Sequence, residues 1–293
     1  MGTPQSGIFA IGTQVHLHLE FDIVGNSDFD FSKLNECRLL ANTLSGVNIV
    51  IGLGKSLLNL VPKQYRPLIF EDFETIKGIE GLVVPKCQHD LWIWLHGGRD
   101  DALFDLARKL NKVISQYFTL AHENRGFQYH SSQDLTKFED GSENPPLDEA
   151  IFEATLRGIQ GDGGSIALLQ KWKHDLDKFE NQTNSEQELV FGRTLIGSVE
   201  LDESAIAKDS HIKRVVISNL EGEELEIFRR SAAFGGLVDH GLMFLAFSAD
   251  QGRLNRMLKR MLGLEDGISD RLMRFSEAVQ SAYYFAPPIE AFG

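Results

Sequence analysis

The sequence predicts an α+β protein built from two ferredoxin-like halves, each running β-α-β-β-α-β, with antiparallel sheets and helices packed on the outside. Three observations carry this expectation. Segments with two-residue alternation and segments with helical apolar stripes follow one another along the chain. A strand leading at once into an amphipathic helix occurs at residues 92–95 and again about 150 residues later at 242–245, which marks an internal duplication. The length of 293 residues accommodates two domains of about 150 residues, each able to bury a core. We expect the halves to be residues 1–150 and 151–293, divided where periodicity fades at 150–161.

In residues 7–24, Val15, Leu17, Leu19 and Phe21 alternate with Gln14, His16, His18 and Glu20, as in a strand with one apolar and one polar face. His16, His18 and Glu20 then point the same way. Two histidines and a carboxylate are a metal-binding pattern, and equally a solvent face that carries histidines. Residues 29–45 place Phe31, Leu34, Cys37, Leu40, Ala41 and Leu44 on one helical stripe. A short strand follows at 47–53. Gly54-Lys55-Ser56 resembles the end of a phosphate loop, but Ile49 occupies the place of its first glycine, so a turn is expected. Residues 89–95 form a strand with Trp92 and Trp94, 99–117 a helix buried along Leu103, Leu106, Leu110 and Ile114, and 118–128 a further strand.

Residues 134–146 are a loop rather than a helix, because Gly141 and Pro145-Pro146 break any helical run. Leu135 and Phe138 anchor the loop to apolar surroundings, and a carboxylate beside a glycine can be aimed into a cavity. An acidic linker between the halves has the same composition. Beyond it, strands are expected at 165–169, 242–247 and 282–285, and a helix at 250–264. Three further places carry candidate chemistry. His211 heads an apolar-alternating segment. Arg229 shares a strand face with Leu225 and Ile227, so its guanidinium is half-buried and needs an anion. Asp270 opens a turn, where a carboxylate commonly caps backbone N–H groups.

A net charge of −13 and a pI near 5.1 argue against nucleic acid or an anionic membrane as the main partner. Cys37 and Cys87 are expected to make no disulfide framework and no zinc site, which suits a reducing compartment. No signal peptide or membrane-spanning run stands out, so a cytoplasmic protein is expected.

Together these segments resemble the dye-decolorizing peroxidases, over nearly the whole chain. The family's GFxDGTxNP loop is matched by Lys137-Phe138-Glu139-Asp140-Gly141-Ser142-Glu143-Asn144-Pro145. Then come Gly163-Gly164-Ser165, Gln170-Lys171-Trp172-Lys173-His174 and Gly192-Arg193-Thr194. Ser210-His211-Ile212-Lys213-Arg214 matches S-H-x-x-R, and residues 229–235 match R-x-S-x-x-(Y/F)-G. Residues 270–275 and 284–287 match the closing D-x-x-x-x-F and Y-F-x-P. The compact length is similar to the bacterial intracellular branch.

The resemblance implies a haem b (iron protoporphyrin IX) peroxidase. It would reduce hydrogen peroxide and oxidise small organic donors such as dyes and phenolics through a high-valent iron–oxo intermediate, with haem in the second half. His211 would be the proximal iron ligand, with Asp270 accepting its other ring N–H. Asp140 and Arg229 would lie on the distal side. Asp140 would move a proton between the peroxide oxygens, and Arg229 would stabilise negative charge as the O–O bond breaks. Ser231 would be a lesser distal polar group, Arg193 would meet a haem propionate, and Gly141 would be a further cofactor-binding position. A carboxylate base works in acid where an imidazole is protonated, so turnover is expected to be best below neutral pH. A homo-oligomer, a dimer or larger, is expected, with no nucleic-acid or membrane partner.

Two departures from the pattern bear on the site. Lys137 replaces the loop's leading glycine, which alters the loop entry if positive φ is needed there and brings a cation near Asp140. Ala233 stands where a proline is often seen, which would loosen the distal wall. For bulky donors, Trp92, Trp94, Trp172, Tyr283 and Tyr284 are the aromatic candidates for surface electron transfer, against core packing. The alternatives are a haem-handling protein with incidental peroxidase activity, and a metal-binding β protein using His16, His18 and Glu20.

Overall fold

The computed structural model describes residues 2–25 and 29–293. The first half contains β1 (Val15–Ile23), α1 (Ser32–Ala41), β2 (Val47–Leu53), a small hairpin β3 (Ile76–Lys77) and β4 (Val83–Val84), β5 (Leu91–Gly97), α2 (Asp100–Ile114) and β6 (Phe118–Phe127). Its strands pair in the order β6-β1-β5-β2, all antiparallel. The second half contains α3 (Leu147–Ala154), β7 (Ser165–His174), α4 (Leu176–Glu180), α5 (Asn184–Phe191), α6 (His211–Val215), β8 (Phe228–Arg229), β9 (Ala232–Gly235), β10 (His240–Ser248), α7 (Gln251–Met261) and β11 (Ser276–Ala286). Its strand order is β9-β10-β7-β11. Both halves therefore have the ferredoxin-like order, with the fourth strand beside the first and the second strand at the opposite edge.

The two sheets meet at two seams, each a single residue pair: Phe285 with Leu53, and Phe127 with Ala233. These seams close eight strands into one ring. Ala233 is buried at a seam and paired with Leu242 as well. The wall there is packed and paired, not loose; a proline would offer no N–H to a ladder.

The helices pack as their stripes require. In α2, Asp100 and Asp101 open the helix and Lys112 closes it, each on the favourable end of the dipole. Leu103, Leu106, Leu110 and Ile114 are fully buried against the first sheet, each contributing about 1.5–3 kcal/mol of burial. Leu254 and Leu258 of α7 do the same on the second sheet. Gly97 ends β5 because a Cβ there would lie 2.3 Å from the Gly46 carbonyl oxygen.

The barrel interior differs from expectation. β1 is buried on both faces: Leu17 and Leu19 face the helices, while His16, His18 and Glu20 face inward. There the two imidazoles stack on Trp94 and Trp92 of the neighbouring β5, with Trp94 directly opposite His18 and Trp92 opposite Glu20. Burial, with Arg230 nearby, pushes His16 down to about 4, and burial pushes Glu20 up to about 7. Neither a solvent face nor a metal set results. Trp92 Nε1 donates to His18, and the Tyr284 hydroxyl donates to Glu20. Trp92, Trp94, Tyr283 and Tyr284 are core residues, so none is a surface route for electrons.

Candidate active site

Alternation along β7 sends Ala167 and Leu169 into the barrel and Leu168, Gln170 and Trp172 outward. On that outer face lies a cavity of about 450 Å³, within the range of about 300–1,000 Å³ usual for small-molecule and cofactor sites. Its apolar lining comes from β7 (Leu168, Trp172), β10 (Leu242, Phe244) and α7 (Leu254, Met257, Leu258, Met261). Its polar groups come from several separate segments.

The first is the loop between β6 and α3. Phe138 is buried and stacks on Phe191 with centroids 4.0 Å apart, which anchors the loop. Lys137 adopts φ 74°, so the left-handed turn is kept without the glycine. Its ammonium pairs with Glu180 at 3.0 Å and not with Asp140. Gly141 has φ 79°, and a Cβ there would lie 2.9 Å from Asn144 Nδ2; its contribution is this backbone turn. Asp140, Ser142 and Glu143 line the cavity as a result.

The second is β8, where Ile227 and Arg229 face the cavity and Phe228 faces the barrel core. Arg229 Nη1 stands 3.9 Å from Asp140 Oδ1, each side chain about one-fifth exposed. Arg229 Nε is buried without a partner. Ser231, two residues on, accepts a long 3.4 Å hydrogen bond from Leu245 N and is not among the cavity-lining residues.

The third is α6, which begins at His211 after the chain is turned by Gly192 at φ 81° and pinned by a bond from the Ser210 hydroxyl to the Leu189 carbonyl. His211 lines the cavity, packs edge-on against Phe191, and makes a 2.6 Å hydrogen bond from Nδ1 to Asp270 Oδ2. Asp270 is buried, and its other oxygen accepts from Leu272 N at 2.8 Å. The expected turn cap and the imidazole partner are one carboxylate.

Arg193 lines the cavity with Nη1 on Glu143 at 2.9 Å and on the Ser198 carbonyl at 2.8 Å. A further polar group on the wall was not among the expected site residues. His174 Nε2 meets Asp134 Oδ1 at 3.1 Å, its Nδ1 meets Ser276 Oγ at 2.9 Å, and all three residues line the cavity. Burial would raise the Asp134 carboxyl, but His174, the Thr136 hydroxyl and Leu135 N–H outweigh it and hold the group below its ordinary value. The sequence signal was the pairing of Asp134 at the loop's start with the histidine that ends β7.

The chain brings together, around one cavity, an imidazole fixed by a buried carboxylate, and a carboxylate beside a guanidinium. The imidazole can hold a metal through Nε2; the acid and cation can shift a proton and offset developing negative charge.

Comparison with known proteins gives a consistent result. Residues 131–291 match the family model described as "Dyp-type peroxidase, C-terminal" and residues 35–128 match its N-terminal counterpart. A dye-decolorizing peroxidase of Mycobacterium tuberculosis is 30% identical over 249 residues, covering 83% of this chain and 74% of that protein. A dye-decolorizing protein from V. cholerae superposes with a TM-score of 0.89 at 30% identity, covering 97% of this chain and 96% of that one. A DypB variant from Rhodococcus jostii RHA1, in complex with heme, superposes with a TM-score of 0.87 at 28% identity, covering 96% and 95%.

Proposed function

The chain belongs to the Dyp-type peroxidase family and is a haem-dependent peroxidase, and from that premise we propose which of its residues carry the reaction. The residues present fit the cofactor. His211 spends Nδ1 on Asp270 and so has Nε2 left for iron. The surrounding walls are apolar, as a porphyrin face requires, and the buried Arg229 Nε lacks a hydrogen-bond acceptor. Haem iron supplies the redox chemistry that cleaves the peroxide O–O bond.

His211 would hold the haem iron through Nε2. Asp270 accepts the Nδ1 proton, keeps the imidazole in one tautomer and makes it a stronger donor. Asp140 and Arg229, together in the same cavity, would act on the peroxide as a pair. Asp140 would accept a proton from one peroxide oxygen and return it to the other, so that the departing oxygen could leave as water. Arg229 would lower the cost of negative charge on that oxygen. Arg193, paired here with Glu143, would be the residue to meet a haem propionate. Ser231 contributes at most an outlying hydrogen bond.

The single observation carrying this reading is the approach of Asp140 and Arg229 in the cavity that His211 also lines. The electron donors are small organic reductants such as phenolics and dyes, and of the large aromatic candidates only Trp172 borders the cavity. The family match favours a peroxidase over a haem carrier. We further propose that the halves divide near residue 150, at α3, and that the protein is a cytoplasmic homo-oligomer. Among the described residues, no helix is long and apolar enough to cross a membrane.

The test is stopped-flow mixing of the holoenzyme with hydrogen peroxide. His211→Ala is expected to lose the Soret band. Asp140→Ala and Arg229→Ala are expected to keep it while reacting more slowly. Parental rates in both distal variants would refute the assignment.

A further inference from the structure

Outside the haem cavity, Cys87, His89 and His122 bring one sulfur and two ring nitrogens to a common point, and we propose that they form a zinc-class metal site. The three ligand atoms lie within 4.8 Å of one another, and none of the three residues lines the haem cavity. Cys87 Sγ is 3.7 Å from His89 Nε2 and 3.4 Å from His122 Nε2. With Zn–S near 2.3 Å and Zn–N near 2.0–2.1 Å at a tetrahedral angle, sulfur and nitrogen should stand about 3.5 Å apart. The two observed separations bracket that value. All three residues are half-buried, so an ion could enter and a water could complete the shell.

The surroundings are built as an outer shell would be. Each imidazole presents Nε2 to the sulfur and has its Nδ1 held from behind. His89 Nδ1 is 2.8 Å from Asp22 Oδ1, an arrangement that fixes the tautomer leaving Nε2 free for a metal. His122 Nδ1 is 2.9 Å from the Gln280 side-chain amide, which is itself 3.0 Å from the Asn124 amide. These two amides can turn over together. Gln280 then accepts the Nδ1 proton of His122 and donates to Asn124, so His122 too offers a lone pair.

The ligand-bearing segment is also held rigid. Cys87 N donates to the Ser281 carbonyl at 2.8 Å. The Gln88 amide, between the two ligands, binds both the N–H and the C=O of Tyr283. A metal here would clip the segment that precedes β5 to β6, with Asp22 of β1 behind it. The set escapes spacing motifs because Cys87 and His89 are neighbours in sequence while His122 arrives through the sheet. One thiolate with two imidazoles suits zinc, whose ion has no geometric preference of its own.

The test is zinc uptake by the haem-loaded protein, after a chelator wash, followed by zinc K-edge absorption, which does not see the haem iron. About one zinc per chain is expected, with one sulfur near 2.3 Å and two nitrogens near 2.0–2.1 Å in its shell. Cys87→Ala and His122→Ala should lose that zinc with an unchanged Soret band, and Asp22→Asn should weaken it about 10–100-fold. No zinc uptake, a shell without sulfur, or the same uptake in Cys87→Ala as in the parent overturns the site. If a variant loses its Soret band, the shell measured on the parent decides alone.

Discussion

The side chain of Asn144 closes a two-point hydrogen-bonded ring onto the backbone of Arg229: Nδ2 donates to the Arg229 carbonyl at 2.8 Å, and Oδ1 accepts from the Arg229 N–H at 2.8 Å. One amide thus does for two chain segments what a strand pair does. It fixes the loop that carries Asp140 against the strand that carries Arg229, across 85 residues of sequence.

Asn144→Ala should therefore loosen the distal pair without touching either member. Two part-buried backbone groups lose their partners, at a cost of about 1–3 kcal/mol each if left unsatisfied. Peroxide reactivity should fall, by up to about 100-fold if the guanidinium moves by an ångström. Stopped-flow rates and thermal melts check this. Unchanged values in both would mean that the loop is held by Phe138 alone.

Asp270→Asn should leave the cap on Leu272 N in place and weaken the proximal imidazole as a donor. The expected signature is a raised haem reduction potential and peroxide cleavage slowed by about 10–100-fold, as for lost outer-shell partners of metal ligands. Spectroelectrochemistry separates this from a folding defect, since a misfolded variant would lose haem instead.

Lys137 holds φ 74° at the entry to the loop, where a side chain is strained. Its pair with Glu180 is half exposed on both sides and is worth little. Lys137→Gly should raise stability by about 0.5–1 kcal/mol, with the relief of strain exceeding the added freedom of the unfolded chain. Because Lys137 does not meet Asp140, the peroxide rate should not change. A thermal melt and one stopped-flow trace test both halves of the prediction.

His16 is held down to about 4 by burial and by Arg230. In the unfolded chain it takes up a proton near pH 6.5, while in the folded protein it does not do so until about pH 4. The unfolded state therefore binds more protons across this window, and stability is lost as pH falls through it, by about 3 kcal/mol for this group. His16→Leu should be nearly neutral above pH 7 and should flatten the acid loss; it also removes a buried Nδ1 that has no partner. Denaturant midpoints across the window measure this, and an unaltered pH slope would contradict it.

Much of the architecture was legible in the chain because it depends on neighbours in sequence. The α2 stripe, the β2, β6 and β10 strands, and the loop forced by Gly141 and Pro145-Pro146 are local consequences of periodicity and backbone freedom. The order of short motifs also carried the family resemblance and the residues His211, Asp270, Asp140 and Arg229. Closure of eight strands into a ring was not legible, since each seam rests on one residue pair. That closure decides what the faces mean. It turned the polar face of β1 into a stacked interior. Contacts between segments far apart in sequence put Asp134 beside His174 on the cavity wall and His122 beside Cys87 and His89. Alternation tells which side chains share a face, but only the closed sheet decides whether that face meets water, a cavity or another ring.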